Sequence, residues 1–143
     1  MNPLVQRFLR TGIAFLLAGL GVGLWMLARR ELAGLYPSPR LISAHTHVIL
    51  VGFVMMMIMG VALWMFPRPE RQDVRYRPLL SEVAYWLVAG GTAARFIGEA
   101  LPPRPRESVL GWIVVMAGIA QAAGLVLFFY NLQPRIRSAR TPG

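Results

Sequence analysis

Long apolar runs separated by short breaks rich in proline and arginine dominate the chain. A bilayer core of about 30 Å requires about 20 apolar residues in a helix. Four runs reach that length and predict transmembrane helices at 8–28, 41–66, 79–101 and 109–132. Between the first two runs, Ser38 is placed to cap a helix whose first residue is Pro39.

The short breaks predict one domain over residues 1–143, because helices joined by short loops pack beside one another. The expected fold class is an all-α membrane protein, a four-transmembrane-helix antiparallel bundle with up-down topology. Small residues four positions apart predict close packing of the helices and do not indicate a binding site. These pairs are Gly19 and Gly23, Gly90 and Ala94, and Gly118 and Ala122.

Composition and charge agree with a membrane protein, since 56% of the 143 residues are hydrophobic and the net charge is +9. All 15 basic residues are arginines, and most lie between the apolar runs, which indicates membrane topology and argues against a nucleic-acid partner. Nine lie on the side of the N-terminus and five on the other side, excluding Arg95. The positive-inside rule therefore predicts a multi-pass protein of the bacterial inner membrane with both termini cytoplasmic. The lack of cysteine excludes disulfides, thiolate metal sites and covalent haem attachment.

Both histidines of the chain, His45 and His47, lie near the predicted outer end of the second run. Residues two apart on a helix differ by about 200° around its axis, so the two imidazoles cannot ligate one metal unless the helix unwinds. One reading is that the pair hydrogen-bonds to backbone or lipid. The other is that one of them binds a cofactor, since ionisable groups inside a membrane usually have a function.

Other polar or sulfur-bearing side chains fall at the same predicted depth. Arg95 and Glu99 are four apart and share a helix face, so they can pair with each other. Alternatively, Arg95 binds an anion such as the propionates of a haem. Met116 and Met26 could each offer a thioether ligand, although methionines in an apolar chain mostly serve packing.

The stretch Ser43-Ala44-His45-Thr46-His47-Val48-Ile49, followed by Gly60 and by Trp64 and Pro67, resembles helix II of the catalytic subunit of haem–copper oxidases and nitric oxide reductases. The resemblance places His45 on the ligand of the low-spin haem. It implies a haem b with His45 on the metal. His47, Arg95 and Met116 are further candidate cofactor-binding residues, because they lie at a similar predicted depth. The later histidines of that family are missing, so the chain cannot build a haem–copper centre and is not expected to be catalytic alone.

Three functions follow from these observations. The first is a haem b-binding membrane protein for electron transfer or gas binding, an accessory subunit of a respiratory oxidase or nitric oxide reductase. The second is a cofactor-free structural or assembly subunit of a respiratory membrane complex. The third is a copper or zinc site at the periplasmic side. The expected partners are the lipid bilayer and respiratory subunits, in a homo- or hetero-oligomer.

Overall fold

The computed structural model describes residues 2–66, 77–101 and 109–138. These residues form four helices, and all secondary structure in these ranges is helical. The helices are α1 (Pro3–Ala33), α2 (Pro39–Met65), α3 (Pro78–Ala100) and α4 (Val109–Ser138). Some residues named above lie outside the described ranges: Pro67, and the arginines counted for topology within 67–76, 102–108 and 139–143.

The helices begin and end at residues with clear local causes. The Asn2 side chain accepts from the Leu4 amide at 2.9 Å at the start of α1. Gly34 ends that helix in the left-handed conformation (φ 63°), which glycine adopts without strain. Ser38 accepts from the Leu41 amide at 3.3 Å and Pro39 is the first residue of α2, as the sequence predicts.

The middle of α2 is not α-helical. Residues Val48–Met55 form a π-helix, with α-helical segments Pro39–His47 before it and Met56–Met65 after it. Gly52 lies in this segment between two neighbours, since a Cβ there would lie 2.8 Å from Phe15 of α1 and 2.9 Å from Thr92 of α3. The segment follows His47 directly, and π-helical turns are frequent at functional sites.

Contacts at both ends of the bundle show that consecutive helices run in opposite directions. The start of α1 meets the end of α2 where Phe8 and Leu9 approach Gly60. At the other end, Arg40 of α2 donates to the Gly98 carbonyl of α3. Asn131, near the end of α4, donates to Ser81 at the start of α3.

The apolar core lies in the half of the bundle that contains the N-terminus. Phe8 packs edge-on against Tyr85 and Phe128, with ring centroids 5.1 and 5.8 Å away. Met56 and Met59 are fully buried in the same cluster. Four helices therefore share one core, which confirms the all-α fold with four packed helices.

Within the described ranges, three helices have the length and composition needed to cross a membrane: Pro3–Ala33, Pro39–Met65 and Val109–Ile136. The third predicted span is not among them, because Glu82, Arg95 and Glu99 make α3 more polar. Those charges have partners: Arg7 of α1 lies 2.8 Å from Glu82, and Arg95 pairs with Glu99.

Candidate functional site

His45 contacts α1 through its imidazole. Its Nδ1 donates to the Gly19 carbonyl at 3.0 Å. The ring lies so close to Gly23 that a Cβ there would be 2.9 Å from its Cε1 atom. The Gly19 and Gly23 pair predicted from the sequence is therefore a packing surface, and it receives His45. Because a carbonyl can only accept, this bond keeps the proton on Nδ1 and leaves the lone pair of a neutral imidazole on Nε2.

His47 has a different environment. Its Nδ1 donates to the Ser43 carbonyl of its own helix at 2.9 Å, and the Ser43 hydroxyl lies 3.5 Å from the same nitrogen. The two imidazoles thus have separate partners, as their spacing predicts. Both rings have Nδ1 held by a backbone carbonyl, the arrangement that orients histidine ligands of metals.

A network of polar side chains begins at Ser43 and crosses to α3 and α4. The Ser43 hydroxyl donates to Glu99 Oε1 at 3.1 Å, and Arg95 Nε donates to the same oxygen at 3.1 Å. Arg95 Nη1 also donates to Gln121 of α4 at 3.4 Å. The Gln121 amide donates to Thr92 at 3.0 Å, and both of these side chains are buried. The network links three helices in the half of the bundle opposite the apolar core.

Arg95 pairs with Glu99, which is the first of the two interpretations given for it in the sequence analysis. It also donates to Gln121. Sequence reasoning missed Gln121 and Thr92. The sequence contained a signal for Gln121, because it is the one amide inside the apolar run 109–132 before Asn131. In the structure this side chain is almost fully buried. A buried amide needs a partner, and Arg95 was the nearest candidate by depth.

The two candidate methionines lie in separate places. Met116 is 58% exposed and lines a shallow groove with Gly90 and Trp112 between α3 and α4. That groove contains neither histidine. Met26 lines a cavity of about 410 Å³ next to Glu99. The structure therefore does not bring Met116 and His45 together.

The donor chemistry of His45 fits a haem iron, because Nε2 of an imidazole held by a carbonyl is the usual axial ligand form. Neither histidine lines the cavity of about 410 Å³. A group bound by His45 would therefore also need a surface from outside this cavity.

Comparison of the chain with protein-family models, with curated proteins and with solved structures finds no match. The resemblance to helix II thus rests on the residues that carry it. Among these, Gly60 packs against α1, where a Cβ would lie 3.0 Å from Phe8 and Leu9. Trp64 is 68% exposed near the end of α2.

No group of three histidine, cysteine, aspartate or glutamate side chains comes together as metal ligands within the described ranges. A structural zinc site usually has four protein ligands and a catalytic one three. A copper or zinc ion at His45 or His47 would therefore need donors from beyond these residues.

Proposed function

We propose that this protein is a multi-pass membrane protein whose four helices all cross the bilayer, with both termini cytoplasmic. The apolar surface of the outer helices supports this assignment, since Leu17 and Leu24 of α1 are 65% and 66% exposed. An apolar surface of this kind is what lipid covers. In α3, Glu82 pairs with Arg7 of α1 and Arg95 pairs with Glu99 of the same helix, so these charges are compensated within the bundle.

Within that membrane protein, His45 binds a haem b. The observation that carries this proposal is the bond from His45 Nδ1 to the Gly19 carbonyl, which leaves Nε2 as a ligand. Gly23 provides the space that the ring requires against α1. A haem held in this way supplies one-electron transfer or gas binding.

The chain acts as an accessory subunit beside a respiratory oxidase or nitric oxide reductase. This part of the proposal comes from the resemblance of the His45 segment to helix II. Met116 lies in a different groove from His45 and would not hold the same haem.

A cofactor-free structural subunit is the second candidate. The observation that favours it is that both imidazoles already have backbone partners, Gly19 for His45 and Ser43 for His47. In this case His45 fastens α2 to α1, His47 bonds within its own helix, and neither needs a ligand. A copper or zinc site is less well supported, because no third ligand lies beside either histidine among the described residues.

The absorption spectrum of the purified protein, expressed with sufficient haem, tests the proposal. We expect a Soret band in the wild type, loss of the band in His45→Ala, and a retained or slightly shifted band in the matched control His47→Ala. Circular dichroism of each variant confirms that the helices are intact. If the two effects are reversed, His47 is the ligand. A wild-type spectrum without a Soret band contradicts the haem proposal and favours the structural subunit.

A further inference from the structure

The cavity of about 410 Å³ lies at the end of the bundle where α1 ends and α2 begins. Its wall contains two arginines from different helices, Arg29 of α1 and Arg40 of α2. The volume is that of an ordinary ligand pocket, about 300–1,000 Å³. Two guanidinium groups at one cavity indicate an anionic ligand, because their N–H groups match the geometry of phosphate or carboxylate oxygens.

Both guanidinium groups are held in place and still have donors left. The guanidinium carbon of Arg29 lies 4.9 Å from the centre of the Trp25 ring, and its N–H groups donate to no residue in the described part of the chain. Arg40 Nη2 donates to the Gly98 carbonyl at 2.9 Å, which leaves Nε and Nη1 without a described acceptor. Each arginine can therefore donate to a ligand without losing the contact that positions it.

Glu99 is the one carboxylate among the described residues that line the cavity, and its charge is already compensated. Its Oε1 accepts from Arg95 and Ser43. Its Oε2 is fully shielded and has no hydrogen-bond partner. A ligand in the cavity thus meets two cations, and an ammonium group there would find no carboxylate free to pair with it.

The surroundings of the two arginines favour a lipid over a free anion. Trp25, Leu35 and Leu41 give the cavity apolar lining. Along α1 before Trp25, Leu20 and Leu24 are 49% and 66% exposed and continue the apolar surface away from the cavity. Tryptophan beside arginine at the end of a membrane helix is typical of the level of the lipid headgroups. A headgroup in the cavity can therefore keep its acyl chains against α1.

We propose that this cavity binds the headgroup of a glycerophospholipid with a net negative charge, such as phosphatidylglycerol. The phosphate accepts from Arg29 and Arg40, the glycerol next to it packs on Trp25, and the acyl chains follow α1. A zwitterionic headgroup fits less well, because its ammonium group would lie beside two guanidinium groups. The inference rests on the proposed insertion into the bilayer and is independent of the function of His45.

Native mass spectrometry of the full chain in detergent, titrated with dioleoylphosphatidylglycerol, tests the proposal. The matched lipid is dioleoylphosphatidylcholine, which has the same chains and phosphate but carries an ammonium group. We expect the first phosphatidylglycerol to bind at least about fivefold more tightly, because like charges repel near the arginines. Glycerol 1-phosphate supplies the anion without the chains and should not displace the lipid at equal concentration. Equal binding of the two lipids, or displacement by glycerol 1-phosphate, overturns the proposal.

Two neighbouring arginines on α1 allow a matched pair of variants. Arg29→Gln removes a donor from the cavity, and we expect phosphatidylglycerol to bind at least about tenfold more weakly. Arg30→Gln removes the same charge one residue further on, but Arg30 pairs with Glu31 at 2.8 Å and does not line the cavity, so its affinity should equal that of the wild type. Circular dichroism confirms that both variants keep their helices.

Unchanged affinity in Arg29→Gln overturns the site. An equal loss in both variants also overturns it, because the lipid would then respond to overall charge and not to the cavity. The Soret band and the orientation of the termini are measured separately from lipid affinity. Failure of this inference is therefore distinguishable from failure of the proposed function.

Discussion

At the scale of single residues, the state of His45 depends on one carbonyl. The Gly19 oxygen fixes the proton on Nδ1, and Gly23 lets the ring approach α1 closely enough to reach it. The same two glycines would be read as ordinary packing residues in any membrane helix. Here their small size also determines which imidazole nitrogen keeps a lone pair.

Gly23→Ala should therefore disturb His45 specifically. The added Cβ would lie 2.9 Å from the ring, so the imidazole must move and the bond to Gly19 weakens. We expect a loss of about 1–2 kcal/mol in the free energy of unfolding, measured by thermal unfolding in detergent. Gly21→Ala is the matched control, since a Cβ there meets nothing within 4 Å and should leave stability equal or slightly higher. Equal stability of the two variants would mean that the ring does not depend on Gly23.

At the scale of elements, α3 is the helix that joins the others. Its polar side chains bond to α2 through Glu99 and to α4 through Arg95 and Thr92. Its backbone also comes close to α4, since a Cβ on Gly91 would lie 2.8 Å from the Ala117 carbonyl. This close contact explains how a helix too polar to resemble its neighbours is held within an apolar bundle.

Gly91→Ala should separate α3 from α4. The obstacle is a backbone carbonyl, which cannot rotate away as a side chain can, so we expect a loss of about 1–3 kcal/mol in the free energy of unfolding. The adjacent Gly90→Ala is the control, because nothing lies within 4 Å of its Cβ position and alanine has the higher helix propensity. Unfolding by denaturant in micelles compares the two. A Gly91→Ala protein as stable as Gly90→Ala would contradict this helix contact.

At the scale of the whole molecule, the exposed aromatic residues lie near both ends of the bundle. Trp25 and Trp112 are exposed near one end, and Trp64 and Tyr130 near the other. Two belts of this kind are typical of the two membrane–water interfaces. Together with the excess of arginine on the N-terminal side, they favour four spans with both termini cytoplasmic.

Reporter fusions in a bacterial host measure this topology. Alkaline phosphatase, which is active only in the periplasm, should be inactive when fused after Gly143. The matched fusion after Leu35, in the turn between α1 and α2, should be active. Alkaline phosphatase activity of the fusion after Gly143 would contradict the four-span assignment. It would also contradict the predicted depth of His45 in the bilayer.

Local features of the sequence predicted the four helices and their order. Ser38 and Pro39 mark the start of α2 because capping depends on residues a few positions apart. The Arg95 and Glu99 pair was also predictable, since a spacing of four places two side chains on one face of a helix. The separate environments of His45 and His47 followed from their spacing in the same way.

The tertiary structure alone decided how the helices face one another. The Gly19 carbonyl near His45, Gln121 beside Arg95 and the Ser43 bond to Glu99 each join residues at least 26 positions apart. The π-helix at Val48–Met55 changes the register of side chains along α2, and no local pattern of residues predicts it. Which oxygen of Glu99 lacks a donor depends on the rotation of three helices, because only their packing determines the side chains within reach.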